Sequence, residues 1–174
     1  MNEGRGTFAS SAGSIALYDG NLYVAGYFRD PRKPSTASGS YWSTGFVASL
    51  TTGGDKRWTT LAWLTNNSDQ YFTVFPTPGG LYAVGSAGTF LLLSSRESFG
   101  YGLVSKFDLD SGKPLSHRTF GSDRYQSLFG HLLVENDVGH AVGRTRKEID
   151  GGGYLGWFAE VDLSAGRGPG TSMH

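Results

Sequence analysis

The 174-residue sequence has no cysteine, no long apolar run and no excess of charge of either sign. Without cysteine, disulfide bonds and thiolate metal sites are excluded, while the cellular compartment stays open. Fifteen basic and fifteen acidic residues give a formal net charge of +0, so no global field favours nucleic acid or an anionic membrane. No apolar run approaches the roughly 18 residues of a membrane-spanning helix. We therefore expect no nucleic-acid partner and no membrane insertion.

The beginning of the sequence also lacks the pattern of a secretory signal peptide. The segment MNEGRGTFASSAGS contains no basic stretch followed by an apolar one. Three possibilities stay open: a cytoplasmic protein, a protein that has already been processed, and a piece of a longer chain.

Glycine and aromatic residues are plentiful instead. The chain has 27 glycines, and aromatic residues make up 14% of it. Such a composition is typical of aromatic-rich strands separated by tight turns. A length of 174 residues allows one domain with a hydrophobic core. The composition therefore favours a single all-β domain that spans residues 1–174.

Two sequence patterns occur three times each and divide the chain into repeats. The first pattern is an apolar strand that ends in glycine: LYVAG, LYAVG and HAVG end at Gly26, Gly85 and Gly143. The second is a glycine, a strand and a turn: GFVASLTTGG, GLVSKFDLDSG and GWFAEVDLSAG begin at Gly45, Gly102 and Gly156. The glycines that end the first pattern are 59 and 58 residues apart. A period of this length with several short strands per unit indicates a repeat architecture.

Each repeat has room for four strands. We place the units at about 14–70, 71–127 and 128–166, with an outer strand and junction in 1–13 and a tail in 167–174. The third unit lacks a fourth strand, and Gly6–Ala9 resembles the fourth strand of the second unit at Arg118–Phe120. The sequence therefore predicts an all-β fold, a β-propeller of three four-stranded blades that form half or part of a ring. The N-terminal strand would serve as the outer strand of a blade.

These elements resemble the bacterial propeller-repeat families, and the SBBP-type repeats in particular. The junctions Ser68–Tyr71 (SDQY) and Ser122–Tyr125 (SDRY) follow the Ser/Gly-Asp-x-Tyr junction of those repeats. The resemblance covers nearly the whole chain, although the turn of the first unit lacks the aspartate. It implies a propeller fold and an extracellular or cell-surface setting, and it carries no catalytic residues.

Three patterns that could carry chemistry have simpler structural explanations. Gly151–Gly156 matches G-x-G-x-x-G but precedes a predicted strand, whereas the dinucleotide fingerprint opens a helix. Asp108 and Asp110 suit either an ordinary turn or a calcium site. The four histidines show no spacing typical of metal ligands. We therefore expect no cofactor, no metal site and no catalytic residue.

An enzyme is the alternative. Asp69 and Asp123 occupy equivalent places in the repeated junction, and two carboxylates at a channel rim could be the acid and base of a glycoside hydrolase or lyase. The other interpretation is that each aspartate ties its blade junction through backbone hydrogen bonds. Their repetition favours this second interpretation, because an acid and a base need two different environments.

The connections between the second and third strands are the best candidates for binding. They span Arg29–Thr44, Ser86–Tyr101 and Arg144–Leu155, and would all emerge on one face of a propeller. Aromatic side chains beside cations suit stacking on sugar rings or on a partner's side chains, and pairing with carboxylates or sulfates. We expect a non-catalytic module that binds a glycan or protein surface through Arg29, Arg32, Tyr41, Trp42, Arg96, Phe99, Tyr101, Arg144, Arg146 and Tyr154.

Three blades cannot close a ring, since propellers typically have about 4 to 8 blades. An open stack would leave two apolar faces bare, and we expect Val24, Phe46, Trp157 and Val161 among their residues. Two chains joined head to tail would give a six-bladed ring. We therefore expect a homodimer that closes such a ring, or a chain that is part of a longer propeller.

Overall fold

The computed structural model describes residues 10–33, 42–92, 97–121, 125–135, 138–147 and 154–163. These residues form eleven β-strands and no helix, which confirms the all-β prediction. No helix long and apolar enough to cross a membrane occurs among them. The strands are β1 (Ser10–Tyr18), β2 (Asn21–Arg29), β3 (Ser43–Thr51), β4 (Lys56–Ala62), β5 (Ser68–Thr77), β6 (Gly80–Leu92), β7 (Glu97–Phe107), β8 (Pro114–Phe120), β9 (Tyr125–Glu135), β10 (Val138–Lys147) and β11 (Tyr154–Asp162).

The strands form three antiparallel meanders, each in sequence order. The first sheet is β1–β4, the second is β5–β8 and the third is β9–β11. One parallel bridge, between Gly100 and Gln126, links β7 of the second sheet to β9 of the third. In the described part of the chain the three sheets do not close into a ring. The outer strand predicted at Gly6–Ala9 lies outside the described residues.

Two of the three predicted loops are wrong in extent. Strands β6 and β7 continue to pair as far as Leu92 and Glu97, inside the loop predicted at Ser86–Tyr101. Strands β10 and β11 likewise pair as far as Arg146 and Tyr154. Glycine and serine interrupt the alternating pattern in these segments, but the backbone ladder does not depend on side chains and continues. Strand β6 ends at Leu92, within the apolar run Phe90–Leu93, and the first connection begins after Arg29, the last residue of β2.

The Asp19-Gly20 pair in the sequence is a signal of a two-residue hairpin, and the structure has this turn between β1 and β2. Asp19 and Gly20 both have positive φ, at 46° and 70°. This combination is that of a type I′ turn, whose twist matches the flanking strands. The turn fixes the register that pairs Tyr18 with Asn21.

A β-bulge recurs at the same place in the first strand of each sheet. One residue of each strand is left unpaired: Gly13 in β1, Phe72 in β5 and Gly130 in β9. The residues just before these bulges pair with the repeated glycines Gly26, Gly85 and Gly143. A Cβ on Gly85 would collide with the carbonyl oxygen of Gln70 across the ladder. The close approach at the bulge therefore explains why glycine ends this pattern.

The sheets stack in chain order, and the core lies in two layers on either side of the second sheet. Tyr23 and Val47 of the first sheet pack in a cluster with Leu103 of the second. On the other side, Val104 packs in a cluster with Phe129 of the third sheet. Among the described residues, only the face of β2 that carries Tyr23 meets another sheet, and only the second sheet is covered on both faces.

Close contacts between sheets also repeat. The ring of Tyr71, in β5, lies against Gly45 at the start of β3. The equivalent ring one repeat later, Phe129 in β9, lies against Gly102 in β7. It stacks on Trp157 with a centroid distance of 4.6 Å. In the first and second sheets, the repeated glycine of the third strand therefore makes room for an aromatic ring of the next sheet.

Hydrogen bonds from one hydroxyl position also join the first strands of successive sheets. The Val74 amide of β5 donates to Ser14 Oγ of β1 at 2.8 Å. The hydroxyl of Thr73, which corresponds to Ser14, donates to the Gly130 carbonyl of β9. The hydroxyl just after the bulge therefore bonds to the backbone of the next first strand in both contacts, as acceptor in one and as donor in the other.

These contacts predict the effect of a methyl group at Gly102. A Cβ there would lie 2.7 Å from Trp157 Cζ3 and 2.9 Å from Phe129 Cε2. Because both rings are packed, we expect Gly102→Ala to lower the free energy of unfolding by about 1–3 kcal/mol. Urea titration followed by circular dichroism measures the change.

Gly156 supplies the matched control, since it opens the third strand of the third sheet. A Cβ there meets no atom within 4 Å, and we expect Gly156→Ala to leave stability unchanged or slightly raised. Equal destabilisation by the two variants would contradict the packing described for Gly102.

Candidate functional site

The ends of the sheets that carry the second-to-third-strand connections lie together. Gly88, in the outer part of β6, donates its amide to Asp69 Oδ1 at 3.1 Å. Lys33, in the first connection, contacts the same carboxylate. The parallel bridge at Gly100 places the start of β7 beside the start of β9, which pairs with the end of β10. For their described parts, the prediction that the three connections share one side is confirmed. We call this side the connection end.

Asp69 is the central group of the connection end. Its carboxylate is buried, and its Oδ2 accepts hydrogen bonds from the amides of Leu64 at 3.1 Å and Thr65 at 3.0 Å. Its Oδ1 accepts from Thr65 Oγ1 at 2.8 Å as well as from Gly88. Asp69 thus ties the segment after β4 to β6, as one of the two sequence interpretations holds. Asp123, its equivalent, lies outside the described residues.

Lys33 completes this arrangement. Its Nζ is fully buried and donates to Asp69 Oδ2 at 2.8 Å, to the Asn67 carbonyl at 2.6 Å and to the Ser43 carbonyl at 2.9 Å. All three protons of the ammonium group therefore have acceptors. A buried ion pair is tolerated only when its remaining hydrogen-bonding capacity is satisfied in this way. The pair links the first connection to the junction between the first and second sheets.

Asp30 forms a second buried carboxylate nearby. It accepts from Arg32 Nε at 2.8 Å, from Arg32 Nη2 at 2.6 Å and from Thr44 Oγ1 at 2.9 Å. The hydrogen bonds from Arg32 lower the pKa of Asp30 to about 2. This two-point contact holds the guanidinium plane in one orientation, although more than half of the Arg32 side chain is exposed.

The exposed part of the connection end centres on Trp63, directly after β4. The Arg32 Cζ lies 5.4 Å from the centre of the Trp63 ring, and Lys33 Nζ lies 5.8 Å from it. Trp63 is nevertheless exposed. Arg32 Nη1 has no hydrogen-bond partner in the part of the chain that the structure describes. An exposed aromatic ring and a fixed guanidinium group therefore lie side by side at this surface.

The ten residues predicted to bind a ligand divide into three groups. Arg29, Arg32, Trp42, Tyr101 and Arg144 are described with their side chains, and Arg29, Arg32 and Arg144 are exposed. Phe99, Arg146 and Tyr154 lie in β7, β10 and β11, and their side chains fall outside the description. Tyr41 and Arg96 lie outside the described residues altogether.

Tyr101 lies against Gly88 and Gly121 at the connection end, whereas Arg32 lies beside the ring of Trp63. Sequence reasoning missed Trp63 and the buried role of Lys33. Trp63 continues the strand-like sequence of β4, but it follows Ala62, the last residue of that strand. Its proximity to Arg32 depends on the path of the first connection, and no local pattern encodes that path.

The described residues offer no cluster of three or more His, Asp or Glu side chains that could hold a metal ion. Asp108 Oδ1, which the sequence leaves open for calcium, accepts from the Ser111 amide at 2.8 Å and from Ser111 Oγ at 2.7 Å. These bonds are those of an Asx turn. A strand, β11, includes Gly156 at the end of the G-x-G-x-x-G match, as expected for a segment that is not a dinucleotide fingerprint.

A polar chain inside the second sheet combines a serine and a histidine. Tyr71 Oη donates to Ser105 Oγ at 2.6 Å, and Ser105 Oγ lies 2.8 Å from His117 Nδ1. Burial raises the pKa of Tyr71, and desolvation of its inner side lowers the pKa of His117. Ser105 is completely buried, so its hydroxyl is closed to a substrate. The chain serves to join β5, β7 and β8.

No protein-family model matches the chain, and no curated protein matches it at a significant level.

The pKa of Asp30 predicts an acid-dependent loss of stability. The folded-state pKa of about 2 lies below the ordinary value of 3.8, so the unfolded chain binds the proton more tightly. The contribution of Asp30 is complete above about pH 4 and is lost as the pH falls towards 2. We expect the free energy of unfolding to fall by roughly 2 kcal/mol more in the wild type than in Asp30→Asn over this range.

Urea titrations of both proteins at several pH values between 7 and about 2 measure this difference. Other carboxylates protonate in both proteins, so the difference isolates Asp30. Stability curves that remain parallel between pH 4 and 2 would contradict the role assigned to the Asp30–Arg32 pair.

Proposed function

We propose that the chain is three successive blades of a β-propeller. The repeated bulge and the repeated ring-on-glycine contact support this arrangement, because both occur at corresponding residues of successive sheets. Radial repetition of four-stranded sheets is the principle of a propeller. The third blade would acquire its fourth strand from Gly6–Ala9, as the repeat pattern predicts.

We propose further that the protein is a non-catalytic binding module whose ligand, a glycan or a protein surface, meets the connection end. The observation that carries this proposal is the exposed Trp63 ring beside the fixed guanidinium of Arg32. Rigid aromatic surfaces bind sugar rings and partner side chains with little loss of side-chain entropy. Arg32 Nη1 and the indole N–H would then donate to oxygen atoms of the ligand.

The charges below Trp63 indicate what kind of ligand fits. Asp30 compensates Arg32, and Asp69 compensates Lys33. The cluster therefore has no net charge, so stacking and hydrogen bonding would contribute more than attraction of an anion. Among glycans, this favours uncharged sugars over sulfated or carboxylated ones.

The hydrolase alternative receives no support from the carboxylate that the structure describes. Both oxygens of Asp69 accept protein hydrogen bonds, and the side chain is buried. A general acid or base must reach the substrate at hydrogen-bond distance. Asp69 serves as a structural link instead.

A panel of immobilised neutral and acidic oligosaccharides tests the binding proposal. We expect a subset of the neutral glycans to retain the wild-type protein. Trp63→Ala should weaken that binding by about tenfold to a hundredfold, since one stacked ring contributes on the order of 1–3 kcal/mol. Trp63→Phe should recover part of the affinity.

Leu115→Ala is the matched control, because Leu115 is an exposed apolar residue on β8. It should bind like the wild type. Binding that is insensitive to Trp63, or a measurable release of sugar product during the assay, would contradict the proposal.

A further inference from the structure

The outward faces of the first and third sheets carry apolar residues at positions that, in the other sheets, are buried against a neighbouring sheet. We call the face of a sheet that points towards the next sheet in chain order its forward face, and the opposite face its rear face. The forward face of the third sheet and the rear face of the first sheet have no neighbour among the described residues. Strand register identifies the equivalent residues of each face.

On the forward faces, one cross-strand pair recurs in each repeat: Ala25 with Val47, Val84 with Val104, and Val142 with Phe158. In the first two sheets the pair lies under the next sheet. Val47 is 0% exposed and Val104 is 3% exposed. In the third sheet, Phe158 is 54% exposed. The position at which valine is buried in the first and second sheets therefore carries an exposed phenylalanine in the third sheet.

The rear faces show the reciprocal pattern. The recurring pairs are Ile15 with Val24, Val74 with Ala83, and Leu132 with Ala141. Val74 and Leu132, whose rear faces meet a preceding sheet, are 4% and 6% exposed. Ile15, on the first sheet, is 64% exposed. The first sheet therefore has the rear face of a sheet that packs on a predecessor.

More exposed apolar residues extend both faces. Leu133 lies on the forward face of the third sheet beside Val142, and Leu17 lies on the rear face of the first sheet beside Ile15. Soluble proteins rarely expose contiguous apolar patches of this kind without a partner. Trp157 and Val161, which the sequence analysis places on a bare face, instead face the second sheet and pack in its cluster. Val24 and Phe46 do lie on the rear face of the first sheet and are half-buried.

We infer that these two faces bind each other between two copies of this chain, head to tail. The contact would repeat the two sheet-to-sheet contacts inside the chain, with the forward face of the third sheet against the rear face of the partner's first sheet. A second copy is the occupant that supplies both complementary faces at once. Two copies contain six sheets, and a heterologous contact of this kind can close a two-fold ring.

Charge also complements across the proposed contact. Glu160 lies on the exposed forward face of the third sheet, in the row that pairs it with His140. Lys56 lies on the rear face of the first sheet, in the row that pairs it with Leu50. Inside the chain, the corresponding rows of Tyr23 and Leu81 meet in one cluster. The head-to-tail contact therefore brings the row of Glu160 to the row of Lys56.

Sedimentation of the 174-residue chain over a wide concentration range tests the inference. We expect a dimer. Phe158→Asp places a charge on the forward face and Ile15→Asp places one on the rear face. Each variant should raise the dimer dissociation constant by about a hundredfold or more, because an unpaired charge would be buried in the contact. Circular dichroism checks that both variants fold, and Leu115→Asp, at an equally exposed apolar position on β8, should remain dimeric.

Mixing the two variants distinguishes a head-to-tail contact from other dimers. Phe158→Asp keeps an intact rear face and Ile15→Asp an intact forward face, so an equimolar mixture should recover an association with one intact interface. A monomeric wild type would overturn the inference. So would a dimer that only one of the two substitutions disrupts, since that outcome indicates contact between like faces. Neither outcome decides the test of Trp63, which measures glycan binding by variants that leave Ile15 and Phe158 unchanged.

Discussion

The buried carboxylate of Asp69 is the interaction on which the connection end depends. It accepts five hydrogen bonds, from the Leu64 and Thr65 amides, the Thr65 hydroxyl, the Gly88 amide and the Lys33 ammonium group. These donors come from the first connection, from the segment after β4 and from β6. A charged group in a site of low dielectric must be satisfied completely or it destabilises the fold. The five bonds thus hold three chain segments at one carboxylate. Trp63 lies directly before Leu64, which is one of the donors.

Away from Asp69, the structure depends on the close approach of adjacent sheets, which occurs at both sheet-to-sheet contacts. Adjacent sheets approach closely enough that rings such as Tyr71 and Phe129 lie against glycine. A bulge in each first strand accompanies the approach, and it brings a serine or threonine hydroxyl to the next first strand. Within the part of the chain that the structure describes, the two sheet-to-sheet contacts cover both faces of the second sheet and one face each of the first and third sheets. The composition reflects this geometry in its glycines and aromatic residues.

The sequence predicts turns and strands that have a local cause. Positive φ at Asp19 and Gly20 follows from the chemistry of a hairpin turn, and alternating apolar residues define β2 and β3. Features that depend on distant contacts could not be predicted. Lys33 stands in a polar stretch rich in proline, typical of an exposed loop, and its burial requires Asp69, 36 residues away. Neither the outer part of β6 nor that of β7 has a strong strand pattern by itself. The two segments form strands by pairing with each other. The contact between Trp63 and Arg32 also joins residues that are distant in the sequence.

Amide hydrogen exchange measured by NMR tests the central role of Asp69 most directly. The amides of Leu64, Thr65 and Gly88 belong to no common strand pairing, yet all three donate to one buried carboxylate. We expect them to exchange slowly in the wild type, and to lose protection together in Lys33→Met, which leaves the buried carboxyl group without its ammonium partner. The amides of Asp110 and Ser111, which donate to an exposed aspartate, supply the reference. Exchange of Leu64, Thr65 or Gly88 as fast as that of this exposed turn would contradict the account.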